Sequence, residues 1–114
     1  MKLDRFVSVV APLHDDAEIV ESYVRETIPI LRDNYTNYEL VIVDDGSRDQ
    51  TVSIASALLS EYDCVRILRL SREFGEEIAI SAGLDTVIGD FTVVMLPRMD
   101  PPALIPELVR RGTE

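Results

Sequence analysis

Tyr38-Glu39-Leu40-Val41-Ile42-Val43 runs without a break into Asp44-Asp45-Gly46-Ser47-Arg48-Asp49-Gln50-Thr51. The first six residues are rich in β-branched and aromatic side chains, and this predicts a strand. Asp44 to Ser47 are turn formers. Ser47 and Gln50 stand three apart, the spacing of a capping box, ahead of Val52, Ile54, Ala55, Leu58 and Leu59, which predict a helix. A strand passing through a polar turn into a helix is a building unit of an α/β layer fold.

The same unit recurs on both sides. Phe6 to Ala11 is a short apolar run closed by Pro12 and predicts a first strand. Asp15 and Asp16 are placed to cap a helix bearing Ile19, Val20, Tyr23 and Val24, with Pro29 expected to end or kink it. Cys64 to Leu70 predicts a third strand. A helix from Glu76 to Val87 follows, whose Ala79, Ala82 and Gly83 would allow close approach to a sheet. Gly89-Asp90 turns the chain into a fourth strand, Phe91 to Met95. Asp100-Pro101-Pro102 opens a last helical segment, restarting at Pro106. Strands alternating with helices imply a mostly parallel sheet, in which ligands bind beyond the carboxyl ends of the strands.

Composition sets the outer limits. The 114 residues provide one compact domain, and 46% hydrophobic content allows a buried core. Eleven Lys+Arg against 21 Asp+Glu give a net charge of −10. That balance argues against a nucleic-acid partner and against a polybasic membrane surface. No apolar run approaches the roughly 20 residues of a membrane helix. Met1 to Arg5 lacks the apolar segment of a signal peptide. The single cysteine, Cys64, excludes an internal disulfide and a cysteine-built zinc site, and packing is its expected role. The expectation is an acidic, cytoplasmic domain.

Polar residues collect where the strands end: Pro12-Leu13-His14-Asp15-Asp16, Asp44 to Asp49, Ser71-Arg72-Glu73-Phe74-Gly75, and Leu96-Pro97-Arg98-Met99-Asp100. Carboxylates there can accept the N–H of a nucleobase or the hydroxyls of a ribose. Gly46 would let the backbone come close to a ligand. Arg72 could clamp a phosphate in bidentate fashion. The competing reading makes Asp44 to Ser47 a polar turn and a helix cap, and composition alone does not decide between the two.

Val43 to Thr51 resembles the VDDGSxDxT signature of family 2 inverting glycosyltransferases, which have the GT-A fold. Val7 to Pro12 resembles that family's VSVVIP. Leu70 to Glu77 resembles LSRNFGKE, and Gly89-Asp90 and Asp100 to Glu107 resemble GD and DPPELIPE. The last two motifs are similar to the branch that transfers sugars to polyprenyl phosphates, such as dolichyl-phosphate mannose synthases. The resemblance covers nearly the whole chain. It implies a four-stranded sheet in the order 3-2-1-4 and a site for a nucleotide-diphosphate sugar. Residues 1–114 would form the N-terminal, donor-binding portion of the GT-A domain. By position, Pro12 and Asp16 would lie against the base and ribose, and His14 would stand where an aromatic residue faces the base. Asp44 would meet the base N–H, with Asp45, Gly46 and Ser47 shaping the floor. Arg72 would reach a donor phosphate, and Gly83 and Asp90 match AG and GD positions near the nucleotide.

Two departures stand out. The family's fourth strand ends in Asp-x-Asp, as in DADLQDPPE, whose carboxylates hold a divalent cation (Mg²⁺ or Mn²⁺) on the diphosphate. Here Leu96 takes the first Asp position and Arg98 about the second, so no metal ligand is assigned. Glu76 also stands where the family often has Lys. Either Arg98 replaces the cation's charge, or catalysis is lost and the chain is a nucleotide-binding or partner-binding module. The second departure is length. In the family, the segment after Asp-x-Asp supplies the acceptor site and catalytic base, so a polyprenyl-phosphate acceptor, and a place at the membrane face, belong to a longer protein. An apolar edge on the fourth strand would suit a homodimer.

Other α/β classes fit less well. A phospho-acceptor receiver domain would place paired acids after its first strand and a Lys after its fifth, whereas Asp44-Asp45 follow the second and the only lysine is Lys2. No Gly-x-Gly-x-x-Gly opens the first helix, which excludes a dinucleotide-binding fingerprint.

Overall fold

The hydrophobic runs form strands because both of their faces are covered. In the computed structural model, which describes residues 2–113, β1 (Leu3–Leu13) pairs in parallel with β2 (Tyr35–Asp44) on one side and with β4 (Phe91–Val94) on the other. β3 (Val65–Arg69) pairs in parallel with β2, giving the sheet order β3-β2-β1-β4. This is the expected α/β architecture and strand order. Met1 and Glu114, the ends of the expected 1–114 portion, lie outside the described residues.

Alternation along the strands sorts two cores. Val7, Val9, Ala11 and Leu13 of β1, with Leu40 and Ile42 of β2, face one side. There they meet α1 (Val20–Asn34), α2 (Thr51–Leu58) and α4 (Ile105–Thr113) through residues such as Val24, Leu31, Leu58 and Val109. Val10, Val41 and Val43 face the opposite side and meet α3 (Glu76–Leu84) at Ala79. A parallel sheet with both faces buried needs such continuous apolar strands. The close approach expected at Gly83 is present. A Cβ there would lie 2.6 Å from Val10 Cγ1 and 2.8 Å from Val43 Cγ2. A short 3-10 turn, Pro102–Leu104, leads into α4 one residue before the expected restart.

Three local expectations fail. Asp15 and Asp16 do not cap α1, which begins at Val20. The Asp16 carbonyl instead accepts the N–H groups of Ile19 and Val20 in the turn before it. Pro29 neither ends α1 nor bounds its buried stripe, because Ile28 and Leu31 on either side of it are buried. Burying those two side chains, at roughly 1.5–3 kcal/mol each, offsets the roughly 3 kcal/mol cost of a proline inside a helix. The Ser47-Gln50 capping box does not form either. Ser47 lies outside α2 and accepts the Asp15 N–H, while the Asp49 carboxylate accepts the Thr51 N–H at the helix start.

One polar network is embedded in the apolar sheet. Glu39, buried on the α3 side of β2, accepts from Ser8 Oγ at 2.6 Å and from the Ile88 N–H at 2.9 Å, and it pairs with Arg66 of β3. Arg66 in turn donates to the Thr86 carbonyl, and the Gly89 N–H donates to Ser8 Oγ. Burial pushes the Glu39 carboxyl up, but the hydrogen bonds from Ser8, Ile88 and Arg66 outweigh it and hold it below 4.5. The network ties the α3–β4 loop to the sheet. Cys64 is half-buried against the larger core, as expected, and burial raises its thiol pKa. No helix of the described residues is long and apolar enough to cross a membrane.

Candidate functional site

The carboxyl ends of β1 and β2 are tied together before any site is formed. Asp15, in the left-handed conformation at φ +52°, donates its N–H to Ser47 Oγ at 2.9 Å and accepts the Arg48 N–H at 2.7 Å. The Asp16 N–H donates to Thr51 Oγ1, and the Ala17 N–H to Asp49. Asp45 then clasps the third loop. Its N–H donates to the Leu13 carbonyl, and its carboxylate accepts the N–H groups of Phe74 at 2.8 Å and Gly75 at 3.0 Å. Gly46, at φ +65°, lies so close to that loop that a Cβ would sit 2.4 Å from the Glu73 nitrogen. Its freedom therefore serves a close backbone-to-backbone contact with that loop.

A cleft of about 320 Å³ opens over this clasp. Its polar lining is His14, Asp16, Asp45, Glu76 and Arg98, and its apolar walls include Pro12, Leu96 and Met99. Arg98 Nε donates to Asp16 Oδ1, and Asp16 Oδ2 accepts the His14 N–H at 2.9 Å. Asp16 is only 6% exposed, whereas the Arg98 side chain is 56% exposed. The His14 ring is held by the Asp45 carbonyl, 2.6 Å from Nδ1, and its Nε2 lies 3.3 Å from Asp15 and 3.4 Å from Glu73. The bond to the Asp45 carbonyl raises the His14 pKa above 6.5; burial opposes this, and the carboxylates of Asp15 and Glu73 add to it.

The cleft thus gathers Pro12, His14, Asp16, Asp45 and Arg98 of the residues singled out in the sequence. Asp44 stands behind it. Asp44 is buried, Oδ2 accepts the Ser47 N–H at 3.2 Å, and Oδ1 has no partner among the described residues. Gly46, Ser47 and Arg72 line a neighbouring depression of about 510 Å³, where the Arg72 guanidinium lies 4.6 Å from the centre of the Phe74 ring. Gly83 and Asp90 belong to neither. Gly83 is packed under α3, and Asp90 donates its N–H to the Phe6 carbonyl while its carboxylate accepts the Phe6 N–H, at the amino-terminal ends of β1 and β4. In the fold these two positions serve helix–sheet contact and strand entry. Met99 was not singled out beforehand, and only its place in the loop after β4 could have flagged it.

The residues present do not fit a divalent cation at the end of β4. Leu96 offers no ligand, Arg98 brings a positive charge, and Asp100 accepts the Leu96 N–H at 2.9 Å to close the turn. Among the described residues no group of three or more His, Cys, Asp or Glu side chains is placed to hold a metal ion.

Residues 8–96 match the model of Glycosyl transferase family 2. The chain belongs to that family. The chain is 33% identical over 109 residues to an uncharacterized glycosyltransferase of Synechocystis, sll0501, covering 95% of this chain and 34% of that protein. It is 33% identical over 111 residues to the undecaprenyl-phosphate 4-deoxy-4-formamido-L-arabinose transferase of Shewanella sediminis, covering 96% and 34%. The chain spans about a third of the length of the curated relatives it matches. Among solved structures, glucosyl-3-phosphoglycerate synthase from Mycobacterium tuberculosis, in complex with Mn²⁺, UDP and glucosyl-3-phosphoglycerate, aligns with a TM-score of 0.70 at 26% identity, over 93% of this chain and 39% of that one. A Pyrobaculum calidifontis mannosyltransferase in complex with GDP-Man and Mn²⁺ shares the fold, with a TM-score of 0.70 at 20% identity, over 79% and 26% of the two chains. The family 2 fold and the four-strand parallel order thus agree.

Proposed function

We propose that this chain is the donor-binding portion of a family 2 glycosyltransferase and takes a nucleoside-diphosphate sugar in the cleft at the ends of β1, β2 and β4. The observation that carries this reading is the convergence of His14, Asp16 and Arg98 on one cleft at the carboxyl end of a parallel sheet, where such folds bind ligands. The family match and the UDP complex of the mycobacterial neighbour support it. Pro12 and His14 offer an apolar and a flat surface for a base. In the whole protein the sugar would pass to an acceptor such as a polyprenyl phosphate, in keeping with the relatives named undecaprenyl-phosphate transferases. The anomeric carbon would exchange its bond to the diphosphate for one to the acceptor oxygen, releasing a nucleoside diphosphate.

Asp16 and Asp45 are both engaged, with Arg98 and with the Phe74 and Gly75 N–H groups, so neither is free to take a proton from an acceptor. The cleft binds and orients. Calorimetric titration of UDP, GDP and their sugars into the chain tests this. Saturable binding of at least one is the expected result, and no binding by any of them at millimolar concentration would overturn it.

A second reading, a catalytically silent module of glycosyltransferase fold, is favoured by Leu96 and Arg98 at the Asp-x-Asp positions. Release of nucleoside diphosphate from a bound donor sugar, followed by chromatography, separates the two.

A further inference from the structure

We infer that the cleft binds the diphosphate of its ligand without a divalent cation, Arg98 supplying the positive charge and Asp16 holding Arg98 in position. This rests on the donor reading above and adds to it the means of charge compensation. Two solved neighbours hold Mn²⁺ together with a nucleotide. Among the described residues of this chain no group of three or more His, Cys, Asp or Glu side chains is placed to hold a metal ion, and the loop after β4 carries a guanidinium into the cleft.

The geometry suits that guanidinium to the task. Asp16 is buried, and its two oxygens are spent on the His14 N–H and on Arg98 Nε, so the anchor is rigid. A guanidinium has five N–H donors. Asp16 takes the one on Nε, and the two terminal nitrogens have no acceptor among the described residues. They form the flat end of the fork, which matches two oxygens of a phosphate or diphosphate. The anchor thus orients the cation while leaving its recognition edge open. The other carboxylates nearby interfere little: Asp45 is satisfied by two backbone N–H groups, and Glu76 is exposed at the start of α3.

The same arrangement disfavours a metal. A divalent cation held on the same diphosphate would add a second positive charge beside the Arg98 guanidinium, and like charges repel strongly away from bulk water. Arg98 and a metal ion are therefore alternatives at this place.

Calorimetric titration of UDP and GDP in EDTA and again in excess Mn²⁺ tests the inference, using wild type, Arg98→Ala, Arg98→Gln and the double variant Leu96→Asp/Arg98→Asp. For wild type we expect affinities in the two conditions to agree within about twofold. Arg98→Ala should weaken binding about ten- to hundredfold in EDTA, the loss of a charged hydrogen-bonding pair. The double variant should bind poorly in EDTA and regain affinity when Mn²⁺ is added. Circular dichroism confirms folding of each variant, and Arg98→Gln, which keeps an N–H donor toward Asp16, serves if Arg98→Ala unfolds. Wild-type binding seen only with Mn²⁺ would overturn the metal-free inference while leaving the donor reading intact. Binding by both Arg98 variants equal to wild type would do the same. No binding of either nucleotide in either condition would overturn both.

Discussion

Arg98 and Asp16 lie 82 residues apart in the chain and meet as an ion pair across the cleft, Nε donating to a carboxylate that is almost wholly buried. Arg98→Ala therefore leaves that carboxylate without its cation. The expected cost is about 1–2 kcal/mol, reduced from the value for a fully buried pair because the arginine is half exposed. Urea denaturation of Arg98→Ala and of Asp16→Asn/Arg98→Ala checks this: the second change, which removes the stranded charge, should recover part of the loss. A double variant no more stable than the single one would refute the pairing as a source of stability.

The glycines should separate by what surrounds them. Gly46→Ala drives a methyl into the Arg72–Glu73 backbone at a left-handed position, and we expect a loss of more than about 2 kcal/mol or failure to fold. Gly75, at φ +105°, has open space around its missing Cβ. Gly75→Ala should cost only conformational strain, about 1–3 kcal/mol and less than Gly46→Ala. Gly83→Ala should lose about 1–3 kcal/mol by overpacking, and Val10→Ala in the same chain should return part of it. Thermal melts of the set provide the ranking.

Glu39 makes stability depend on acid. Its carboxyl is held below 4.5 in the folded chain, so the contribution is fully present above the ordinary carboxylate value and is lost as pH falls through the folded-state pKa. Glu39→Gln should be less stable than wild type at neutral pH. The gap should narrow as pH falls below the ordinary carboxylate range and wild type takes up the same proton. Urea midpoints across that range measure it, and a gap that stays constant with pH would contradict the assignment.

His14 works in the opposite sense. Its folded pKa is raised above 6.5, so the charged ring stabilises the loop below that value and the contribution disappears as pH rises through the folded pKa. It is the only histidine, so its ring protons are readily followed by NMR. The titration should fall above the ordinary value, and Glu73→Gln should move it downward. An unchanged midpoint in Glu73→Gln would remove Glu73 as a cause.

The strands were legible because their pattern is local. Unbroken runs such as Leu40 to Val43 state that both faces are covered, and small residues at Ala79 and Gly83 state how closely a helix lies on them. The strand order came from resemblance rather than from pattern, since no local feature says which strands are neighbours. That α1 continues past Pro29 was not legible, because a proline's helix-breaking tendency is a local property, whereas the burial of Ile28 and Leu31 that outweighs it comes from the packed core. Where Asp90 lies is a related case: a motif position does not say at which end of the sheet a residue falls.

By itself, then, the sequence determined the α/β class, the four strands, the acidic strand ends and the loss of two carboxylates after the fourth strand. Tertiary structure alone decided what each polar side chain does. Asp45 holds the Phe74–Gly75 backbone from its place in the cleft lining, and Asp16 holds Arg98. Hydrophobic periodicity is written along one segment, but the partner of a carboxylate is whichever donor the folded loops bring within about 3 Å of it, often from far along the chain.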